Sequence, residues 1–269
     1  MSTQEYHEDN RAAWEITAAK YEESEPEDIV FLGAGGNSLL EPEKAALGDL
    51  STWCGRAIHL QCAAGLDTLS LLRQGAHEVV GIDISQRMID SARRKTAALG
   101  LPADWHCCDV LDTPHALDAT ADLVHTGRGA LLWMMDLDAW AAVIYRLLKP
   151  GGKVHIFEGH PLDWVWDTGA PDYRFDAQRG GYFNQGIYGG EIWPRPFIEQ
   201  REGLQPGEVQ AHDRQWTLGQ ILNSLIRAGL RITFFDEYPL PFWNQFPEMA
   251  PEMLGRLPHT FSVMARKAP

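Results

Sequence analysis

Residues 57–85, AIHLQCAAGLDTLSLLRQGAHEVVGIDIS, constrain the fold of this chain more than any other stretch. The apolar run Ala57 to Leu60 enters a turn of small residues, Cys62-Ala63-Ala64-Gly65, and Asp67-Thr68 then open a helix whose apolar face is Leu69, Leu71 and Leu72. A second apolar run, Val79 to Ile82, ends on Asp83. Strand, tight turn, helix and strand in that order are the layout of a nucleotide-binding βαβ unit. Small residues let the backbone approach a ligand, and a carboxylate at the second strand tip accepts hydrogen bonds from ribose hydroxyls. The unit implies a nucleoside-containing cofactor without saying which.

Length and composition narrow the setting. With 269 residues and 45% hydrophobic content the chain can bury one large α/β core with an elaborated cap. A net charge of −14 argues against a nucleic-acid partner, and the densest basic cluster, Arg93-Arg94-Lys95, reads as the solvated end of a helix. The first residues are polar and acidic, and no apolar run approaches the roughly 18 residues of a membrane span, so a soluble, cytoplasmic protein is expected. Cys54, Cys62, Cys107 and Cys108 lack CxxC spacing and read as free thiols, with no metal site expected.

The pattern divides into a helical cap (1–50), a cofactor-binding core (51–160), an aromatic-rich insertion (161–215) and a segment that completes the core (216–269). In the cap, residues 5–22 suit an amphipathic helix with Trp14, Ala18 and Tyr21 on one face. GAGGNS at 33–38 lacks the Lys-Ser/Thr and flanking elements of a phosphate loop and reads as a flexible linker. Strands and helices then alternate through 159, predicting a mainly parallel, doubly wound Rossmann-like sheet. The insertion carries Trp164, Trp166, Tyr173, Tyr182, Tyr188, Trp193 and Phe197 without regular periodicity, as a substrate lid would. Two final strands separated by a proline-rich segment are predicted to run antiparallel.

With these motifs in order, the chain resembles the class I S-adenosylmethionine-dependent methyltransferases, and within them a small-molecule branch carrying HLQCxxGxDTLS. HLQCAAGLDTLS resembles motif I, CCDV (107–110) the adenine-contacting motif, and LLKPGG (147–152) the turn before the fifth strand. NRAAW (10–14), LW (132–133), WTLGQILNSLIRAGL and LPHTFSVMARK add to the likeness. Gln61 and Ala63 replace two of the usual three glycines, which requires that the turn not demand positive φ at Gln61. His59 stands where a carboxylate is common.

The resemblance implies S-adenosyl-L-methionine as cofactor, with S-adenosyl-L-homocysteine as product. It implies contacts from Gln61, Cys62, Ala63, Gly65 and Thr68 to the methionyl and ribose parts, from Asp83 to the ribose hydroxyls, and from Ile84, Ser85 and Met88 beside the adenine. Cys108, Asp109 and Val110 would flank the adenine, with Thr126 and Gly127 nearby, and Trp14 and Tyr21 would close over the methionine carboxylate. Asp83 has a second reading, as a cap of the next helix through Ser85.

Methyl transfer from a sulfonium is an in-line displacement that asks for alignment and dryness, and for a base only where the acceptor must lose a proton. Glu158 and His160 lie two apart at the end of the fifth strand and are candidates for a carboxylate–imidazole base pair, assisted by Tyr21. The other reading has Glu158 bind backbone amides and His160 sit in a loop. Arg128 either meets an anionic acceptor or pairs with a nearby acid. Tyr6, Trp133, Tyr182, Tyr188 and Trp193 are candidate acceptor contacts. Ten tryptophans suit a planar aromatic acceptor such as an indole or phenol of secondary metabolism. Quinone-type C-methylation, a nucleotide-binding oxidoreductase and a non-catalytic cofactor-binding protein are the competing functions.

Overall fold

A computed structural model of the chain describes residues 1–178, 181–189 and 209–269. Strands β1 (Arg56–Leu60), β2 (Glu78–Asp83), β3 (Ala103–Cys107), β4 (Ala121–Gly127) and β5 (Leu148–Gly159) are parallel. Inside the aromatic insertion, β6 (Ile187–Gly189) and β7 (His212–Arg214) form a small antiparallel pair. Strands β8 (Arg231–Tyr238) and β9 (Thr260–Arg266) complete a seven-stranded sheet in the order β3-β2-β1-β4-β5-β9-β8, with β9 antiparallel to both neighbours. This is the Rossmann-like methyltransferase fold with its reversed strand near the C-terminus.

Seven helices are described: α1 (Thr3–Gly33), α2 (Glu41–Leu47), α3 (Leu66–Arg73), α4 (Gln86–Leu99), α5 (Leu137–Leu147), α6 (Leu218–Arg227) and the short α7 (Pro251–Leu254). Side chains alternate across each strand, so both sheet faces need cover. Ile58, Val80, Val124 and Val154 pack with Trp140, Ile144, Ile221 and Leu225 of α5 and α6. Ala57, Val79 and Leu123 pack with Leu47, Leu69 and Ile89 of α2, α3 and α4 on the opposite face. Each such buried side chain contributes about 1.5–3 kcal/mol, so this double layer dominates the fold's stability.

Three local expectations need correction. Helix α1 runs past residue 22 and through Pro26. An ionic seam carries it: Arg87 pairs with Glu22, Arg94 with Glu25 at 2.8 Å, and Lys95 with Asp28 at 2.6 Å. The basic cluster on α4 is therefore not a solvated helix end, and Lys95 is wholly buried. The loop at 33–38 is pinned, since Ser70 Oγ accepts from the Ser38 amide at 3.0 Å and the Asn37 side chain donates to Gln74 at 3.1 Å. Among the described residues no helix is long and apolar enough to cross a membrane.

Candidate functional site

The C-terminal ends of β1, β2, β3 and β4 open into a cleft of about 120 Å³, the position where open α/β sheets bind ligands. Its floor is the turn after β1. Gln61 and Ala63 both adopt positive φ, 56° and 46°, and Gly65 follows at 80°. The expectation that Gln61 would avoid this region is overturned. Its side chain holds it there, donating to the Ala130 carbonyl at 2.7 Å and accepting from Thr126 Oγ1 at 3.5 Å. Gly65 is required for space as well as φ, because a Cβ would lie 2.4 Å from Trp105.

Asp83 forms one wall. Its two carboxylate oxygens accept from the Ala63 amide at 2.8 Å and the Ser85 amide at 2.9 Å. Asp83 also lines the cleft. Burial pushes its pKa up to about 6, against the amides that pull it down. Asp83 thus braces the turn and the start of the next helix, as its second reading expects, while lining the cleft.

Helix α1 forms the roof. His7, Asn10, Trp14 and Tyr21 line the cleft from one helical face, a spacing that extends toward the N-terminus the face read from Trp14 and Tyr21 alone. Trp14 meets the edge of Trp133 at 5.3 Å and Tyr21 at 6.5 Å. His7, which the sequence reading missed, binds Asp109 through Nδ1 at 2.5 Å and accepts the Met135 amide at 3.2 Å. Asp109 also accepts the Leu111 amide at 2.9 Å. Asn10, equally missed, exchanges two hydrogen bonds with the backbone of His212 in β7, at 2.6 and 2.9 Å. The roof is therefore clipped to both the sheet and the insertion.

Gln61, Ala63, Ile84, Asp109 and Val110, the stretch Gly127 to Ala130, Trp133 and Met134 complete the lining. Cys62, Thr68, Ser85, Met88 and Thr126 are buried behind it rather than in it, and Gly65 and Cys108 are likewise not lining residues. Thr68 bonds His59 at 2.7 Å, and Ser85 caps α4 through the Met88 amide at 3.3 Å.

The Glu158–His160 pair does not form. Glu158 accepts from the amides of Gly129, Gly159, Ala130 and Leu131 at 2.5–3.0 Å. Four donors occupy its lone pairs, and it serves the loop after β4 as an internal cap. His160 bonds Glu237 at 2.8 Å and accepts the Leu162 amide at 3.0 Å. Burial lowers its pKa against the opposing pull of Glu237. Tyr21 is pushed up to about 12 by burial and by Asp83, which does not suit a base near neutral pH. Arg128 is spent on Glu43, on Asp67 at 3.0 Å and on the Ser38 carbonyl at 2.7 Å, so the salt-bridge reading holds.

A second, smaller cavity of about 40 Å³ adjoins the cleft at Gly129, with Trp164, Trp216, Phe242 and Trp243 in its walls. Tyr6 lies outside both cavities, edge-on to His212 at 4.9 Å. Tyr182 accepts the Leu218 amide at 3.2 Å, and Tyr188 bonds Asn184. Trp193 lies outside the described residues.

Residues 57–152 match the family model described as a methyltransferase domain. The chain is 35% identical over 106 residues to the demethylmenaquinone methyltransferase of Lactobacillus johnsonii, covering 38% of this chain and 43% of that protein. It is 31% identical over 124 residues to the S-adenosyl-L-methionine-dependent Diels-Alderase iliD of a Neonectria species, covering 46% of each. The chain thus spans less than half the length of these curated relatives. Among solved structures, an S-adenosylmethionine-dependent methyltransferase from Mesorhizobium loti shares the fold, with a TM-score of 0.61 and 23% identity over 86% of this chain and 99% of that one.

Proposed function

We propose that this chain is an S-adenosyl-L-methionine-dependent methyltransferase acting on a small, planar acceptor. The observation that carries the reading is Asp83, held by the Ala63 and Ser85 amides at the mouth of a left-handed turn, within a segment that matches methyltransferase domains. The cleft fits the donor on its chemistry. A carboxylate lining the cleft suits a ribose diol, and the turn brings backbone within reach.

The bound donor supplies an electrophilic methyl group on a sulfonium. The protein's own work is to orient and to exclude water. Asp83 fixes the ribose end, and His7 with Asp109 and Val110 close the adenine side. Trp14, Tyr21 and Trp133 form an apolar roof, which raises the barrier to competing hydrolysis. Glu158 shapes the loop between the two cavities. Alignment accounts for the chemistry without an assigned base, which favours an acceptor atom already nucleophilic at neutral pH.

Similarity to a demethylmenaquinone methyltransferase favours a second reading, C-methylation of a quinone-type acceptor. Calorimetry and a methyl-transfer screen separate the possibilities. Micromolar binding of S-adenosylhomocysteine without a response to NAD is the expected result, and NAD binding alone would replace the reading with an oxidoreductase. Labelled transfer to pooled indoles, phenols, aromatic acids and quinols then identifies the acceptor atom.

A further inference from the structure

The second cavity holds a cation that forms no ion pair with a described carboxylate. Arg214, at the end of β7, lines it together with the aromatic walls. Its guanidinium lies 4.0 Å from the Trp216 ring centre. Of its five N–H donors, the described contacts use one on Nη1, a long 3.4 Å bond to the Met135 carbonyl. Its Nε is buried with no hydrogen-bond partner. Arg214 pairs with no described carboxylate, and the nearby Asp136 already caps α5 through the Ala139 amide at 2.9 Å.

The other polar groups of this cavity are already engaged. Glu158 is saturated by backbone amides, and Gln215 donates its side-chain amide to the carbonyls of Pro161 and Tyr182 at 3.2 and 3.3 Å. What remains is a guanidinium on an aromatic plane, facing an apolar chamber that meets the cofactor cleft at Gly129. A planar fork of donors is matched by two coplanar oxygens, and stacking on Trp216 presets its orientation. The buried Nε of this half-buried guanidinium is costly to leave unpaired, whereas an anion bound along the fork would satisfy it.

We infer that the methyl acceptor is an aromatic carboxylate whose anionic group is received by Arg214, with the ring held among Trp164, Trp216 and Phe242. This rests on the methyltransferase reading for the second cavity being the acceptor's. It also moves the choice of cation away from Arg128, which lines the cofactor cleft but is already paired with Glu43 and Asp67. Asn10 and His212 clip β7 to α1, so the donor roof and the acceptor anchor share one support.

The test is a titration of the full chain, saturated with S-adenosylhomocysteine, using three carboxylates (indole-3-carboxylate, 4-hydroxybenzoate and anthranilate) and the primary amide of each. At least one carboxylate should bind about tenfold or more tightly than its amide, in line with a charge-assisted bond. Arg214→Met should erase that preference and leave S-adenosylhomocysteine affinity within about twofold. Arg214→Lys, which keeps the charge but loses the fork, should fall between, and it carries the test if the methionine variant fails to fold. Equal binding of every acid and amide, no binding of any pair, or a preference that survives in both variants would overturn the inference. A chain that binds no S-adenosylhomocysteine would overturn the methyltransferase reading itself, and the two failures are thereby distinct.

Discussion

The Nδ1 atoms of His125 and His155 stand 3.1 Å apart on the neighbouring strands β4 and β5, their rings stacked within 11° of parallel. His59, on β1, lies 4.9 Å from the His125 ring, so three fully enclosed imidazoles cross the sheet in register. An N–H···N bond requires one ring to carry its proton on Nδ1 and the other not. Oε1 of Glu43 is buried without a hydrogen-bond partner and lies 3.6 Å from His125 Nε2. That assigns the His125 proton to Nε2, facing the carboxylate. His155 then donates from Nδ1 to His125 and accepts the Ser262 hydroxyl at Nε2, 3.0 Å away.

This row makes the core acid-sensitive. Burial lowers His59 to about 4 and His155 to about 3, and lowers His125 well below its ordinary value. The unfolded chain binds protons near pH 6.5 and the folded chain does not, so stability falls as pH drops below about 6.5. Asp83 and Asp163 work the other way, because both are raised to about 6 and the folded state protonates first. A single variant isolates one histidine from this balance. The stability advantage of the native chain over His155→Leu should shrink by about 2 kcal/mol between pH 7 and pH 5. Urea midpoints at both pH values measure it, and a constant gap would mean that His155 takes up its proton equally in the folded and the unfolded chain.

Asp83 governs the cofactor cleft with its own pH dependence. Its raised pKa means that the carboxylate needed by a ribose diol is depleted below about pH 6. Affinity for S-adenosylhomocysteine should therefore drop about tenfold between pH 7 and pH 5. Asp83→Asn should bind about ten- to a hundredfold more weakly at pH 7 and show a flat profile across that range. Calorimetric titrations of both proteins decide it, and a pH slope retained in the asparagine variant would assign the titration to another group.

The parts of this architecture that are local in sequence were legible there. Alternating apolar runs gave the parallel core, and Asp83 was visible as the residue closing β2 after the small-residue turn. Features that depend on distant partners were not. Helix α1 continues past Pro26 because Glu22, Glu25 and Asp28 meet Arg87, Arg94 and Lys95, residues that only the fold brings near. Glu158 resembled half of a base pair until the loop at 129–131 folded onto it. Arg128 resembled a substrate contact because neither Glu43 nor Asp67 adjoins it in the chain. Gln61 defeated a simple φ argument because its compensating bond reaches Ala130, far along the sequence. Arg214 gave no local signal, since its chemistry depends on what it lacks.

Ala63 offers a direct measure of strain in the cofactor turn. Its φ of 46° costs an L-residue about 1–2 kcal/mol, and no side-chain hydrogen bond is available to compensate, unlike at Gln61. Glycine relieves this but loses more chain entropy on folding, roughly 0.5–1 kcal/mol. Ala63→Gly should come out stabilised by about 0.5–1 kcal/mol in the ligand-free protein, while Ala63→Val should be destabilised. Thermal melts of the three proteins test the ordering, and a glycine variant less stable than the native chain would show that the turn is unstrained.

Glu158 separates a structural role from a chemical one. Its carboxylate is 5% exposed and receives four backbone N–H groups. A glutamine in the same place keeps one acceptor oxygen and turns an NH₂ toward donors, leaving buried amides unpaired at about 1–3 kcal/mol each. Glu158→Gln should therefore lose about 3 kcal/mol of stability, a fall of roughly 6–12 °C in Tm for a chain of this size. Because the loop it caps also forms the cleft wall at Gly129 and Ala130, S-adenosylhomocysteine affinity should weaken with it. A general base predicts the opposite split, with turnover abolished while Tm and cofactor affinity stay level. Melting curves and calorimetry on one purified variant distinguish the two, and they do so before any acceptor is identified.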